Sequence, residues 1–138
     1  DWRFWKRLSF RKRHPALYPF VENRLLTLEE AAHVYRRSRI CLNIGMREHH
    51  SLNPRTFELL ASGALQIMDA GQELNGRARS GMDLLQYENT EQLIELIDRY
   101  LADEHARRQI ARRGQQYNRR RNSMRTILEE LLKELVYT

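Results

Sequence analysis

Two short apolar runs on either side of one helix pattern restrict the fold more than any other feature. Residues 40–44 (ICLNI) and 65–68 (LQIM) are nearly continuous apolar runs, typical of strands buried on both faces of a parallel sheet. Between them, Asn53 and Pro54 predict a helix start and Gly63 predicts its end. Because parallel neighbours need a crossover connection, this unit predicts an α/β fold with a short parallel sheet.

The segments around this unit continue the alternation of strands and helices. Thr27 and Glu30 have the spacing of a capping box, which predicts a helix of about ten residues. Residues 84–87 predict a third strand, and Tyr117 to Arg121 (YNRRR) are expected to form a solvated turn between helices. Periodicity predicts a helical C-terminal part, with helices at residues 90–102, 104–117 and 124–136.

The composition excludes several classes of protein. A chain of 138 residues with 41% apolar side chains fits one folded domain. Its single cysteine, Cys41, excludes a disulfide framework and a cysteine-rich zinc site, and its apolar neighbours place it in the core. No apolar run reaches the roughly 18 residues of a membrane span. The first residues are too charged for a signal peptide, so a cytoplasmic location is expected.

The first 13 residues (DWRFWKRLSFRKR) interleave basic and aromatic side chains, and the formal net charge of the chain is +6. The simplest expectation is that Trp2, Phe4 and Trp5 pack on the domain or on a partner domain. Two alternatives stay open. Such a segment can contact an anionic membrane surface, with its aromatic rings inserted, or bind nucleic acid through phosphate contacts and stacking.

A candidate ligand site lies at the predicted helix start. Open parallel sheets bind ligands beyond the carboxyl ends of their strands, and a helix N-terminus there suits a phosphate. Asn53 and Arg55 could add donors, while the Glu58 carboxylate could accept two hydrogen bonds from a ribose diol. Two simpler alternatives remain: Arg55 and Glu58 pair with each other, and Asn53 is only a cap. The sequence has no glycine-rich fingerprint of the dinucleotide or P-loop type.

Several short motifs follow one another along the chain: Tyr35, SRICLN at 38–43, RTFELLASG at 55–63, Asp69, Tyr87 with Glu91-Gln92-Leu93, and IARRG at 110–114. This ordered set resembles the C-terminal, donor-binding domain of group 1 glycosyltransferases. It is most similar to the branch related to spore-maturation glycosyltransferase-like proteins, and the resemblance covers roughly residues 20–117.

The resemblance implies a Rossmann-like domain, one half of a two-domain GT-B fold that binds a nucleotide-sugar in the cleft between its halves. The division it implies is a basic, aromatic N-terminal segment (1–19), a Rossmann-like nucleotide-sugar-binding domain (20–117) and a C-terminal amphipathic helix (118–138). The partner would be an N-terminal Rossmann-like domain of the same protein, absent here, and this chain alone would be inactive.

The resemblance also implies roles for five residues. Glu58 matches the carboxylate that holds the donor ribose, and Asn53 and Arg55 match the stretch near the diphosphate. Gly45 and His50 belong to the loop that faces the donor. Many relatives have a glutamate where His50 stands, so His50 is expected to donate a hydrogen bond to the sugar instead. No metal cofactor is expected, because a helix dipole and basic side chains can stabilise the leaving diphosphate.

Overall fold

A computed structural model describes residues 9–21, 24–45 and 51–136. Within these ranges the fold is a mixed α/β arrangement around one three-stranded parallel sheet with the order β1-β2-β3. This confirms the predicted fold class. The strands are β1 (Ile40–Asn43), β2 (Leu65–Asp69) and β3 (Leu85–Tyr87). The helices are α1 (Leu28–Arg37), α2 (Pro54–Ser62), α3 (Thr90–Ala102), α4 (Glu104–Arg121) and α5 (Met124–Val136), with a 3₁₀ turn at Tyr18–Phe20.

The central strand β2 separates two apolar cores. Leu65 and Ile67 point to the face covered by α3 and α4, where they pack with buried residues such as Ile110. Met68 points to the opposite face and packs against Leu60 of α2. The alternation follows from the two-residue period of a strand. The domain therefore has a helical layer on each side of the sheet.

The predicted helix starts are confirmed. Thr27 accepts a hydrogen bond from the backbone N–H of Glu30 (3.2 Å) and donates its own N–H to the Glu30 carboxylate (2.8 Å), which completes the capping box of α1. That backbone hydrogen bond holds the pKa of Glu30 below its usual value. Helix α2 begins after Asn53 and ends at Gly63, which adopts the left-handed conformation with φ of 77°.

The expectation that the first strand is buried on both faces is wrong. β1 lies at the edge of the described sheet, since only β2 pairs with it among the described residues. Leu42 is consequently 42% exposed, and Ile44 beyond the strand is exposed as well. Cys41 is half-buried, and this burial raises the pKa of its thiol.

The expected solvated turn at residues 117–121 is also wrong, because α4 continues to Arg121. Asn118 is buried, and its side-chain amide donates to the carbonyl of Phe57 in α2 (3.2 Å). This contact anchors the last turns of α4 on α2. The following arginines lie at the C-terminal end of the helix, where the macrodipole stabilises cations.

A buried carboxylate ties the long connection between β2 and β3 to α4. Asp83 is fully buried and accepts hydrogen bonds from the backbone N–H, Nε and Nη2 of Arg79 at 3.0, 2.7 and 2.9 Å. The Arg79 guanidinium lies 4.5 Å from the ring centre of Tyr117, whose hydroxyl donates to the Gly76 carbonyl (2.8 Å). We call Arg79, Asp83 and Tyr117 the loop clamp.

Replacing Arg79 with alanine should destabilise the fold by about 2 kcal/mol, because Asp83 would keep its burial but lose two charge-assisted hydrogen bonds. Urea unfolding measures the change. Arg77→Ala is the control, since Arg77 makes only a half-exposed ion pair with Glu130 at 3.6 Å. Equal losses in both variants would show that the clamp contributes no more than an ordinary surface pair.

Candidate functional site

The carboxyl ends of β1 and β2 and the start of α2 meet at a cleft of about 840 Å³, whose other wall is α1 and the segment before it. Asn53, Arg55 and Glu58 all line this cleft, so the structure brings these three predicted residues together. Gly45, two residues after the end of β1, does not line the cleft itself but lies against Gln72, which does. His50 and the rest of the 46–50 loop lie outside the described residues.

Asn53 is a helix cap held by a second asparagine. Its Oδ1 accepts from the backbone N–H of Thr56 (3.1 Å), as its sequence position predicts. The fully buried Asn43 donates to the same oxygen (3.2 Å) and accepts from Nδ2 of Asn53 (3.1 Å). Asn43 also donates to the Thr56 hydroxyl (3.0 Å). We call Asn43, Asn53 and Thr56 the amide network; it fixes the start of α2 against the end of β1.

Arg55 and Glu58 are both exposed and do not pair. No ion pair joins them or occupies either one within the described ranges, so the simple i, i+3 pair is not observed. The backbone N–H of Arg55 likewise has no partner there, because the cap of Asn53 reaches Thr56 instead. A free guanidinium, a free helix amide and a free carboxylate therefore stand together on the first turns of α2.

Gln72 supplies a buried polar group to the same cleft. Its side chain is only 4% exposed, yet its Oε1 has no hydrogen-bond partner in the described part of the chain. Gly45 makes room for it, since a Cβ at that position would overlap Nε2 of Gln72. A buried carbonyl oxygen without a partner is costly, so the side chain of Gln72 carries an uncompensated polar atom beside the cleft.

Glu58 also borders a smaller recess of about 370 Å³ between α1, α2 and α4. Its walls are mainly apolar and include Leu28, Ala31, Tyr35 and Ala61. The carboxylate of Glu58 thus stands between a polar cleft at the start of α2 and an apolar recess further along that helix.

Comparison with known proteins bears on what this arrangement does. A family model described as "Glycosyl transferase-like" matches residues 4–133. The chain belongs to this glycosyl transferase-like family. No curated protein and no solved structure matches it. Membership supports a role in glycosyl transfer, and the matched span contains the cleft, the amide network and the loop clamp.

Sequence reasoning gave no role at this cleft to two residues, Asn43, which supports the start of α2, and Gln72, which lines the cleft. For Asn43 a signal existed: an amide that ends an otherwise apolar strand is unlikely to be buried without a partner. For Gln72 the only hint was its position a few residues after the end of β2, at the ligand-binding edge of a parallel sheet.

The described residues contain no group of three or more His, Cys, Asp and Glu side chains that could hold a metal ion. His49 and His50 fall outside those residues. No helix within the described ranges is both long and apolar enough to cross a bilayer. Trp2, Phe4 and Trp5 also lie outside the described part of the chain.

Proposed function

We propose that the cleft at the start of α2 binds a nucleotide-sugar, and that the chain is the donor-binding half of a GT-B glycosyltransferase of the spore-maturation-like branch. One observation carries the proposal: Arg55 and Glu58 stand unpaired beside a free helix amide in a cleft at the carboxyl edge of a parallel sheet. This set of groups matches a diphosphate followed by a sugar diol.

In this proposal the diphosphate lies at the N-terminus of α2. The backbone N–H and guanidinium of Arg55 donate to its oxygens, and the positive end of the helix dipole adds to them. Asn53 contributes mainly by holding the helix start, because its carboxamide oxygen is already occupied by Asn43 and Thr56. When the glycosidic bond breaks, the same donors stabilise the charge that develops on the leaving diphosphate, without a metal ion.

The Glu58 carboxylate would accept hydrogen bonds from both ribose hydroxyls. A ribose there places the base toward the apolar recess beside Tyr35 and the phosphates toward Arg55, in the order that a nucleotide requires. The roles implied for Gly45 and His50, a loop next to the sugar and a hydrogen bond from His50 to it, stay predictions, because residues 46–50 lie outside the described ranges.

The acceptor site and any general base belong, in this proposal, to a second Rossmann-like domain of the same protein in the cytoplasm. The described cleft offers groups for holding a nucleotide, namely cations, a diol acceptor and an apolar recess. In this proposal the 138-residue chain alone binds the donor weakly and does not turn it over, because the acceptor site and the general base belong to that second domain.

The test is a thermal-shift titration of the chain with UDP, GDP and their sugar conjugates at millimolar concentrations. At least one nucleotide should raise the melting temperature in a saturable way, since a ligand that binds only the folded state stabilises it. Glu58→Ala should weaken that binding about tenfold or more, because two hydrogen bonds to a charged group are lost.

Glu95→Ala is the matched control, because it removes another exposed carboxylate from α3, outside the lining of the cleft. It should leave the nucleotide response unchanged. The absence of a shift with every nucleotide, or equal responses in wild type and Glu58→Ala, would contradict the proposal.

A further inference from the structure

We call the proposed nucleotide-sugar site at the start of α2 the donor cleft. The amino edge of the sheet, opposite the donor cleft, carries a second cleft of about 490 Å³. The end of α1, the turn after α2 and the first half of α4 form its walls, and β1 and β2 begin beside it. It shares no lining residue with the donor cleft. The cations that line it are all arginines: Arg36, Arg37, Arg39, Arg107, Arg108 and Arg112. We call it the arginine cleft.

The arginine cleft has a large excess of positive charge. Among the described residues that line it, Glu104 provides the one carboxylate, and this carboxylate already pairs with Arg108 at 2.6 Å. The other five guanidinium groups make no ion pair within the described ranges. Such a concentration of like charge is unfavourable without an anion between the groups.

Arg107 is the clearest example of an arginine in this cleft without a carboxylate partner among the described residues. It is only 7% exposed, and its Nη1 donates to the backbone carbonyl of Tyr100 (2.8 Å). No carboxylate of the described chain pairs with it. Buried charges in proteins are normally paired, because their desolvation is otherwise costly. The wall of the arginine cleft therefore contains a mostly buried cation for which the described chain provides no carboxylate.

We infer that the arginine cleft binds a phosphate group that carries at least two negative charges, on a ligand other than the sugar donor. The planar fork of arginine donates two hydrogen bonds to one phosphate, and several such forks can surround a single group. Since the two clefts lie at opposite edges of the sheet, this ligand and a nucleotide bind together. Its phosphate is free in solution or is the monoester headgroup of a lipid.

Two probes separate these sources. Inorganic pyrophosphate, titrated by calorimetry in the presence of UDP to occupy the donor cleft, tests a free phosphate. Pelleting with phosphatidylcholine vesicles, with and without phosphatidic acid, tests a lipid headgroup. Binding of either probe is expected to be saturable and to weaken about tenfold or more in the double variant Arg37→Gln and Arg112→Gln.

The matched control is Arg113→Gln with Arg120→Gln, which removes the same charge from exposed positions of α4 outside the cleft. It should bind the probe as the wild type does. Equal weakening in both double variants would reduce the effect to net charge and overturn the inference, as would the failure of both probes to bind. Tighter binding of a single-stranded oligonucleotide than of either probe would overturn it in favour of a nucleic-acid surface.

The thermal response to nucleotides should be the same in wild type and in the arginine-cleft variant. If the chain binds pyrophosphate or phosphatidic acid but shows no nucleotide response, the inference about the arginine cleft stands and the proposed donor site is wrong. If the chain responds to nucleotides but binds neither probe, the proposed donor site stands and the inference about the arginine cleft is wrong.

Discussion

Replacing Asn43 with leucine, whose side chain branches at the same carbon, should destabilise the fold by about 3 kcal/mol. Asn43 is fully buried and makes three side-chain hydrogen bonds, two with Asn53 and one with the hydroxyl of Thr56. Leucine would leave the amide of Asn53 and that hydroxyl without their buried partner, and each costs about 1–3 kcal/mol. Urea unfolding measures the loss, and faster hydrogen exchange at the Thr56 amide would locate it at the start of α2.

Gln66→Met is the matched control for this substitution. Gln66 is also a fully buried amide in the sheet, and it lies opposite Cys41 in the neighbouring strand. Its Oε1, however, has no partner among the described residues, and its Nε2 reaches only the sulfur of Met68 at 3.7 Å. Removing an unsatisfied amide should be neutral or stabilising. Similar losses in both variants would show that burial, rather than the amide network, determines the cost.

Asn43→Leu should also weaken any nucleotide binding, although Asn43 does not line the cleft. Its role is to position Asn53 and through it the first turn of α2, where Arg55 presents its amide and guanidinium. Nucleotide affinity that survives the substitution in a folded variant would show that the helix start needs no support from β1.

Local signals in the sequence predicted the elements around the site. The Thr27 capping box, the Asn53-Pro54 start and the Gly63 stop each depend on residues within a few positions of one another, and all three are observed. The relative placement of Arg55 and Glu58 followed from the helical repeat. Family membership was predictable from the order of motifs, and the family match confirms it for glycosyltransferases in general.

The features that local patterns missed depend on contacts between distant segments. The charged neighbours of Asn118 predict a solvated turn, but its side chain is buried and bonds to Phe57, 61 residues away, on a helix that continues to Arg121. Leu42 was expected to be buried because periodicity reports hydrophobicity and not the position of a strand in its sheet. Gln72 enters the cleft only because Gly45 has no side chain.

Replacing Gly114 with alanine should destabilise the fold by about 3 kcal/mol or more. Alanine favours a helix over glycine by about 1 kcal/mol, so propensity alone predicts a gain. The packing of α4 outweighs this gain in stability, because a Cβ at position 114 would overlap the carbonyl oxygen of Asp83 and lie 2.9 Å from Cδ2 of Leu60. The first is a backbone atom held by the loop clamp, and the second is a buried core atom, so neither can move without disturbing the packing.

The control for Gly114→Ala is Gln116→Ala, at an exposed position on the same helix, which should change the free energy of unfolding by less than about 0.5 kcal/mol. Thermal or urea unfolding of both variants measures the two changes in the free energy of unfolding. If Gly114→Ala is as stable as the control, α4 can move away from Asp83 at little cost. The glycine that closes the IARRG motif would then have no packing role. A large loss confined to Gly114 would instead explain that glycine physically, as the point where α4 approaches the backbone of the loop clamp most closely.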